Sequence, residues 1–282
     1  MDFLPVYETL NCNGTLLSLE KPIVMGILNV TPDSFFDGGK YSSDVLVLKQ
    51  VEKMLQDGAS IIDIGGVSTK PNAVFVSETE EILRVLPVLE AIKKEFSESI
   101  LSIDTWRSTV AKASVEAGAS LINDISGGQY DDNLFETVGK LQVPFVLMHI
   151  KGTPETMQNN PTYDNLKEEI LAYFVAKIEK LRQFGVKDIL IDVGFGFGKT
   201  IDDNYDLLKN LHVFNLLGLP QLVGISRKSM IYKYLDITPQ EALSASSALH
   251  LTALQQGAKI LRVHDVKEAV EVVRLFEKLA CF

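Results

Sequence analysis

The chain is predicted to fold as a (β/α)8 TIM barrel, a single domain over residues 1–282 with a short N-terminal β-hairpin. Three observations predict it. The first is an internal repeat: four times a helical stretch closes on glycine and passes into a short apolar strand with a polar end, in 58–63, 118–123, 185–192 and 257–262. Glycine suits the left-handed position after a helix, and a short wholly apolar run suits a parallel strand buried on both faces. The second is a set of further strand candidates, 23–30, 100–104, 144–149 and 221–225, which bring the number to eight. The third is length, because α/β barrels commonly reach 282 residues as one unit. An open doubly wound sheet is disfavoured: there is no break into two halves and no dinucleotide fingerprint.

Taken in order, residues 1–20 are short apolar pieces broken by Asn11-Cys12-Asn13-Gly14, a turn cluster that suits a hairpin plugging one end of the main fold. The run 23–30 lacks the alternation of a half-exposed strand, and Thr31 to Gly39 follows as a loop set by Pro32 and a Gly pair. Amphipathic helices are expected over 44–57, 78–95, 165–184, 239–256 and 266–279, each between two strands or closing the chain.

Composition narrows the function. Hydrophobic residues make up 46%, enough for a large core, and the formal charge of −10 argues against a general nucleic-acid surface while leaving room for a local cationic pocket. Cys12 and Cys281 lie near opposite ends without metal spacing, so reduced thiols are expected. The first residues lack a cationic leader pattern, and no apolar run reaches the roughly 18 residues that a membrane span needs. A cytoplasmic protein is the expectation.

In such a barrel the C-terminal strand ends and their loops build the active site. That rule gathers Asn29, Asp63, Asp104, Asn123, His149, Asp192, Lys228, Arg262 and His264 on one rim. Asp63, ahead of Gly65-Gly66, reads by itself as a cap or turn former. Asp104, Asn123 and Asp192 supply the acceptors that grip a flat heterocycle bearing amide and amino groups, and Lys228, Arg262 and His264 supply cations from strands seven and eight, where barrels often hold phosphate. A molecule with a heterocycle and a phosphate or diphosphate satisfies both halves. Gly194 to Thr200 is not a nucleotide P-loop, since Val193 stands where the first glycine is needed; it reads as a loop that brings Phe197 or Lys199 over the site. Arg227 is expected to pair with a carboxylate while Lys228 points inward. The four histidines show no protein-built metal spacing, and His212 and His250 read as packing or surface residues.

Eight motifs, in order along the chain from about Val24 to Val270, resemble dihydropteroate synthase. They are Met25 to Phe35 (MGILNVTPDSF), Gly65 to Pro71 (GGVSTKP), Ser102 to Thr105, Ile122 to Gly128 (INDISGG), Met148-His149, Gly194 to Thr200, Ser226 to Ser229 and Arg262 to Asp265. The resemblance implies an enzyme that condenses 6-hydroxymethyl-7,8-dihydropterin diphosphate with p-aminobenzoate to dihydropteroate and diphosphate in folate synthesis. It implies a pterin grip of Asp104, Asn123, Asp192 and Lys228, with Met148 packing beside it and Arg262 stacking on the ring. Asn29, Thr69, Arg262 and His264 correspond to the diphosphate and Mg²⁺ end, Asn29 being the protein contact to the metal. Phe35, Pro71, Phe197, Lys228 and Ser229 correspond to the p-aminobenzoate pocket, where sulfonamides compete. A homodimer is implied as well.

The chain departs from the family pattern at several positions. Lys70 stands where Arg is usual, which keeps the charge and loses the bidentate fork; Val67 replaces a frequent Glu, Asn72 a Gly, Val193 a Pro, and Phe36 a small residue. Two other functions compete with this one: a methyltetrahydrofolate-dependent methyltransferase, which should lack the Thr-Pro-Asp-Ser-Phe and Ser-Arg-Lys segments, and a catalytically degraded pterin-binding homologue.

Overall fold

The structure, a computed structural model, describes residues 9–30, 40–67, 76–153, 157 and 161–280. Strands β1 (Thr9–Cys12) and β2 (Thr15–Ser18) form the antiparallel hairpin, turning at Asn13 and Gly14, both with positive φ. Eight parallel strands then close into a barrel in chain order: β3 (Ile23–Asn29), β4 (Ile61–Gly65), β5 (Leu101–Asp104), β6 (Leu121–Asp124), β7 (Phe145–Met148), β8 (Ile189–Asp192), β9 (Gln221–Val223) and β10 (Ala258–Val263), the last pairing with both β9 and β3. Around them lie α1 (Lys40–Gln56), α2 (Glu78–Glu95), α3 (Ser108–Glu116), α4 (Leu134–Leu141), α5 (Leu166–Gln183), α6 (Ile201–Lys209), a 3₁₀ turn (Leu211–Leu217), α7 (Ser229–Tyr232), α8 (Leu243–Gln255) and α9 (Val266–Ala280). None of the described helices is long and apolar enough to cross a membrane.

The four repeat glycines occupy the predicted left-handed positions, with φ of +101° at Gly58, +110° at Gly118, +84° at Gly185 and +101° at Gly257. Each ends a helix and lets the chain turn back into the barrel. The helix expected over 239–256 starts later, at Leu243. Residues 238–242 instead form a tight turn with i→i+3 bonds, Glu241 N–H to the Thr238 carbonyl at 3.1 Å and Ala242 N–H to the Pro239 carbonyl at 3.4 Å, and the Glu241 carboxylate reaches back to the Thr238 backbone N–H at 2.9 Å and hydroxyl at 2.8 Å as the N3 residue of a capping box does. In the other direction, α1 begins at Lys40, four residues before the predicted 44.

Strand pleat divides the residues cleanly. Leu28, Ile62, Ile64, Ile103, Ile122, Phe145, Leu147, Ile191, Val223 and Leu261 face outward into the core beneath the helices. Met25, Ile61, Leu121, Val146, Leu190, Leu222 and Ile260 face inward as a separate apolar layer, and Leu10, Cys12 and Leu19 pack against it. The hairpin is therefore the floor plug that the sequence suggests. Two residues further along four of these strands, the inward positions become Asp63, Asn123, Asp192 and Arg262. A barrel sealed with hydrocarbon below and lined with polar groups above opens at one end only.

The segment after β4 is fastened at both of its described ends. Arg84 donates to the Gly66 carbonyl at 3.1 Å, and Arg107, paired with the fully buried Glu81, donates to the Val76 carbonyl at 2.5 Å.

Candidate active site

Above the apolar layer, neighbouring strands contribute one chemistry-bearing side chain after another. Arg262 on β10 reaches across the interior: its Nε donates to Asp63 Oδ2 at 2.6 Å and its Nη2 to Asp104 Oδ2 at 2.7 Å. Asn123 on β6 donates through Nδ2 to the same Asp63 oxygen at 3.0 Å. On the far wall Asp192 accepts the Gly194 backbone N–H at 2.7 Å. Lys228, just past β9, sends its ammonium to the Phe195 carbonyl, 4.6 Å from the centroid of the Phe197 ring. Met148, on β7 between Asn123 and Asp192, is buried with Ile125, Ile150 and Met157, and Trp106 and Phe197 lean on that group. The cup is thus polar around most of its wall with an apolar patch at β7 between Asn123 and Asp192, a lining that suits a flat heterocycle with polar edges.

Burial governs the charges. Asp104 is pushed up to about 7 by desolvation, opposed by Arg262. Asp192 is raised for the same reason, opposed by Lys228. Lys228 is lowered to about 8 by desolvation despite the nearby Asp192. Charges held this far from water are ready to respond to a ligand that supplies the missing donors and acceptors.

Arg227 behaves as expected. Its Nε and Nη2 grip Asp265 at 2.8 and 2.7 Å, and its backbone sits at φ +54°, which turns the following residue, Lys228, inward. Ser229 opens α7 and is half-buried. His264 is exposed, with Nδ1 3.1 Å from Ser226 Oγ, and Asn29 is exposed at the end of β3. Because β9, β10 and β3 are neighbours, Ser229, His264 and Asn29 lie along one arc of the mouth. Thr69, Phe35 and Pro71, like the departures Lys70, Asn72 and Phe36, lie outside the described residues.

The glycine-rich loop after β8 differs from the sequence expectation in one respect. Lys199 does not hang over the site: it is 3% exposed, and its ammonium lies 3.0 Å from each of the Gly194 carbonyl, the Phe197 carbonyl and His149 Nδ1. It is a strut inside the loop, and the buried His149, whose pKa is lowered by desolvation and by Lys199, is its partner. The glycines are required here, since a Cβ on Gly194 would meet the His149 carbonyl at 2.0 Å and one on Gly198 the Lys151 carbonyl at 2.3 Å. Phe197 alone is left to face the cup.

Among the described residues no group of three or more His, Cys, Asp or Glu side chains is placed to hold a metal. Mg²⁺ bound through substrate phosphates does not need such a cage; it keeps several waters and takes one or two protein oxygens. His264, lowered to about 4 by desolvation and by Arg262, is a neutral imidazole and not the cation read from the sequence, so Arg262 is the fixed charge at this end. The exposed Asn29 amide on the same arc offers a hard neutral oxygen of that kind, so the residues present fit Mg²⁺ arriving with a diphosphate.

Comparison with known proteins decides the family. The family described as pterin binding enzyme matches residues 25–264, and the dihydropteroate synthase of Escherichia coli K12 is 47% identical over 266 residues, 94% of each chain. The chain belongs to the dihydropteroate synthase family. Crystallised dihydropteroate synthases share the architecture. That of Yersinia pestis in a sulfonamide drug complex superposes with a TM-score of 0.91 at 44% identity, covering 97% of this chain and 100% of that one. The Xanthomonas albilineans enzyme in complex with 7,8-dihydropteroate gives 0.87 at 36% identity, covering 97% and 99%.

In this dihydropteroate synthase barrel the interior differs from the sequence reading at Asp63 as well as at Lys199 and at His149, which the sequence places on the rim and which is buried against Lys199. Asp63 is neither a cap nor a turn former: it is fully buried and holds Asn123 and Arg262. A signal was present. Ile61, Ile62 and Ile64 surround a lone acid, and β4 runs on to Gly65, so the pleat sends Asp63 inward with Ile61.

Proposed function

We propose that the chain condenses 6-hydroxymethyl-7,8-dihydropterin diphosphate with p-aminobenzoate, and that the polar cup holds the pterin. The observation that carries this is the convergence of Asp104, Asn123, Asp192, Lys228 and Arg262 from five separate elements onto one buried cup, with Met148 as its apolar wall. Asp104, Asp192 and the Asn123 carboxamide oxygen accept along the amino and ring N–H edge of the pterin, and Lys228 donates to an acceptor on the ring. Arg262 lies against the ring face and, with His264 and Asn29 on the β9–β10–β3 arc and with Thr69, receives the diphosphate. Mg²⁺, when bound with the diphosphate at Asn29, supplies further positive charge to the leaving group.

As the bond from the pterin methylene to diphosphate lengthens, positive charge builds on carbon and negative charge on the departing oxygens. Positive charge fixed beforehand at the leaving group stabilises that separation without reorganising. The p-aminobenzoate amine, held by Phe35, Pro71, Phe197, Lys228 and Ser229, attacks the cation-like carbon and then loses a proton, so no covalent enzyme intermediate is needed. The same pocket is where a sulfonamide would compete, in keeping with the drug complex of the Yersinia relative. The working unit is read as the single 1–282 barrel, cytoplasmic and paired as a homodimer.

Incubation of the purified protein with both substrates and Mg²⁺ is expected to give dihydropteroate and diphosphate. Tight pterin binding without product would sink this reading in favour of a degraded homologue. A second expectation concerns pH. Lys228, lowered to about 8 by burial, must carry its proton to donate to the pterin, so kcat/KM for the pterin substrate falls as pH rises through about 8. Lys228→Arg keeps its charge over that range and should lose this alkaline limb, whatever its absolute rate. An unchanged limb in the variant would assign it to another group.

A further inference from the structure

Register places Asp63 beneath the ligand-facing layer. Asp104 is paired across strands with Gly65 on one side and Asn123 on the other, so these three share a rung; Asp63 is paired with Ser102, two residues deeper. It is 0% exposed, against 6% for Asp192. One of its oxygens, Oδ2, takes both Arg262 Nε at 2.6 Å and Asn123 Nδ2 at 3.0 Å, and the other, Oδ1, has no hydrogen-bond partner among the described residues. A fully buried carboxylate that serves two neighbours through a single oxygen is an expensive arrangement for stability alone, because desolvation offsets most of what the ion pair returns.

We propose that Asp63 is a positioning residue of the pterin site, fixing which atom of Asn123 meets the pterin and keeping Arg262 tethered when Asp104 turns to the substrate. This rests on the assignment of Asn123 and Arg262 to the pterin. With its Nδ2 pulled down to Asp63, the Asn123 carboxamide is held in one of its two flips, and its Oδ1 becomes an acceptor for the ligand. The cup then presents acceptors from Asp104, Asp192 and Asn123, which selects a heterocycle edge rich in N–H groups over one that presents acceptors. Arg262 is held at two points. When a pterin N–H takes the Asp104 carboxylate, the Nε bond to Asp63 remains and the guanidinium keeps its place beside the ring. Asp63 touches no reacting atom in this account; its effect passes through two residues that do meet the substrate.

The test is a KM split with a mutant cycle. Asp63→Ala is expected to raise KM for the pterin diphosphate by about 10- to 100-fold, the scale of a misplaced contact, while KM for p-aminobenzoate stays within about twofold. A purely structural role would lower the active fraction and the melting temperature and leave both KM values alone; that result overturns the proposal. Asn123→Ala should raise the pterin KM by itself, and the double variant should be much less than additive, since both changes remove one arrangement. Full additivity would overturn the tether. If Asn123→Ala and Arg262→Ala both leave the pterin KM unchanged, the site assignment falls and this proposal with it; if they raise it while Asp63→Ala does not, only the role of Asp63 falls. Should Asp63→Ala fail to fold, Asp63→Asn, nearly the same shape without the charge, should still raise the pterin KM by roughly fivefold through the weaker neutral hydrogen bonds, and an unchanged value would overturn the proposal.

Discussion

Asp192→Ala is expected to lower kcat/KM for the pterin substrate by about 10²- to 10³-fold, on the assignment of this side chain to the pterin edge. The magnitude follows from where the carboxylate sits. It is 6% exposed, and the Gly194 N–H holds one oxygen at 2.7 Å, so the acceptor is aimed before any ligand arrives. Hydrogen bonds to a charged group contribute about 1.5 to 3 kcal/mol each, and a substrate N–H left unpaired in a buried cup adds its own desolvation penalty. The loss should fall on the pterin: KM for p-aminobenzoate is expected to stay near the parent value. Removing Asp192 also removes an opposing charge beside Lys228, so the lysine should titrate lower than about 8 and the alkaline limb should move to lower pH in the variant. Steady-state kinetics with each substrate varied in turn would decide it, and a normal rate would sink the assignment.

Much of the barrel was legible because its signals are local. Gly58, Gly118, Gly185 and Gly257 each stop a helix at a positive φ that most residues avoid, and an apolar strand follows each one. The rim was legible for a related reason: Asp104, Asn123 and Asp192 are polar endings on otherwise apolar strands, and parallel strands all end on the same side. What escaped was set by distance across the barrel. Asp63 looked like a turn residue beside Gly65-Gly66, and only closure of the sheet brings Arg262, 199 residues away, onto it. By sequence Lys199 is a loop cation free to reach the site, yet three acceptors supplied by two chain segments claim it. In the same way the start of α8 depended on whether 238–242 would take i→i+3 turns before α-helical bonding begins, a choice that hydrophobic spacing does not record. The division of Arg227 and Lys228 into a structural and an inward-facing cation holds in the structure, where Arg227 grips Asp265 and Lys228 reaches the Phe195 carbonyl.

Arg262→Ala is expected to destabilise the fold by about 3 to 5 kcal/mol, the cost of leaving buried charge without its partner, and to lower the melting temperature by on the order of 10 °C. Arg262 is the shared counter-ion of Asp63 and Asp104, at 2.6 and 2.7 Å, and without it two carboxylates face each other in the low-dielectric cup. The sign of the pH dependence separates this from simple cavity formation. Asp104 is already pushed up to about 7, desolvation being the largest cause and Arg262 the main opposing one. Loss of the guanidinium raises it further. A carboxyl whose folded pKa lies above its unfolded value binds more protons in the folded state, so the stability linked to it is present at low pH and is lost as pH rises towards the folded pKa. The parent loses this contribution by about pH 7, whereas the variant goes on losing it above that point. The gap in melting temperature between the two should therefore widen from pH 6 to pH 8, measured by thermal unfolding in matched buffers. Adding Asp63→Asn to Arg262→Ala removes one of the two stranded charges and should narrow the gap at pH 8. A gap that is the same at both pH values, and indifferent to Asp63→Asn, would mean that Arg262 contributes packing and that the charges of the cup are neutralised by some other group.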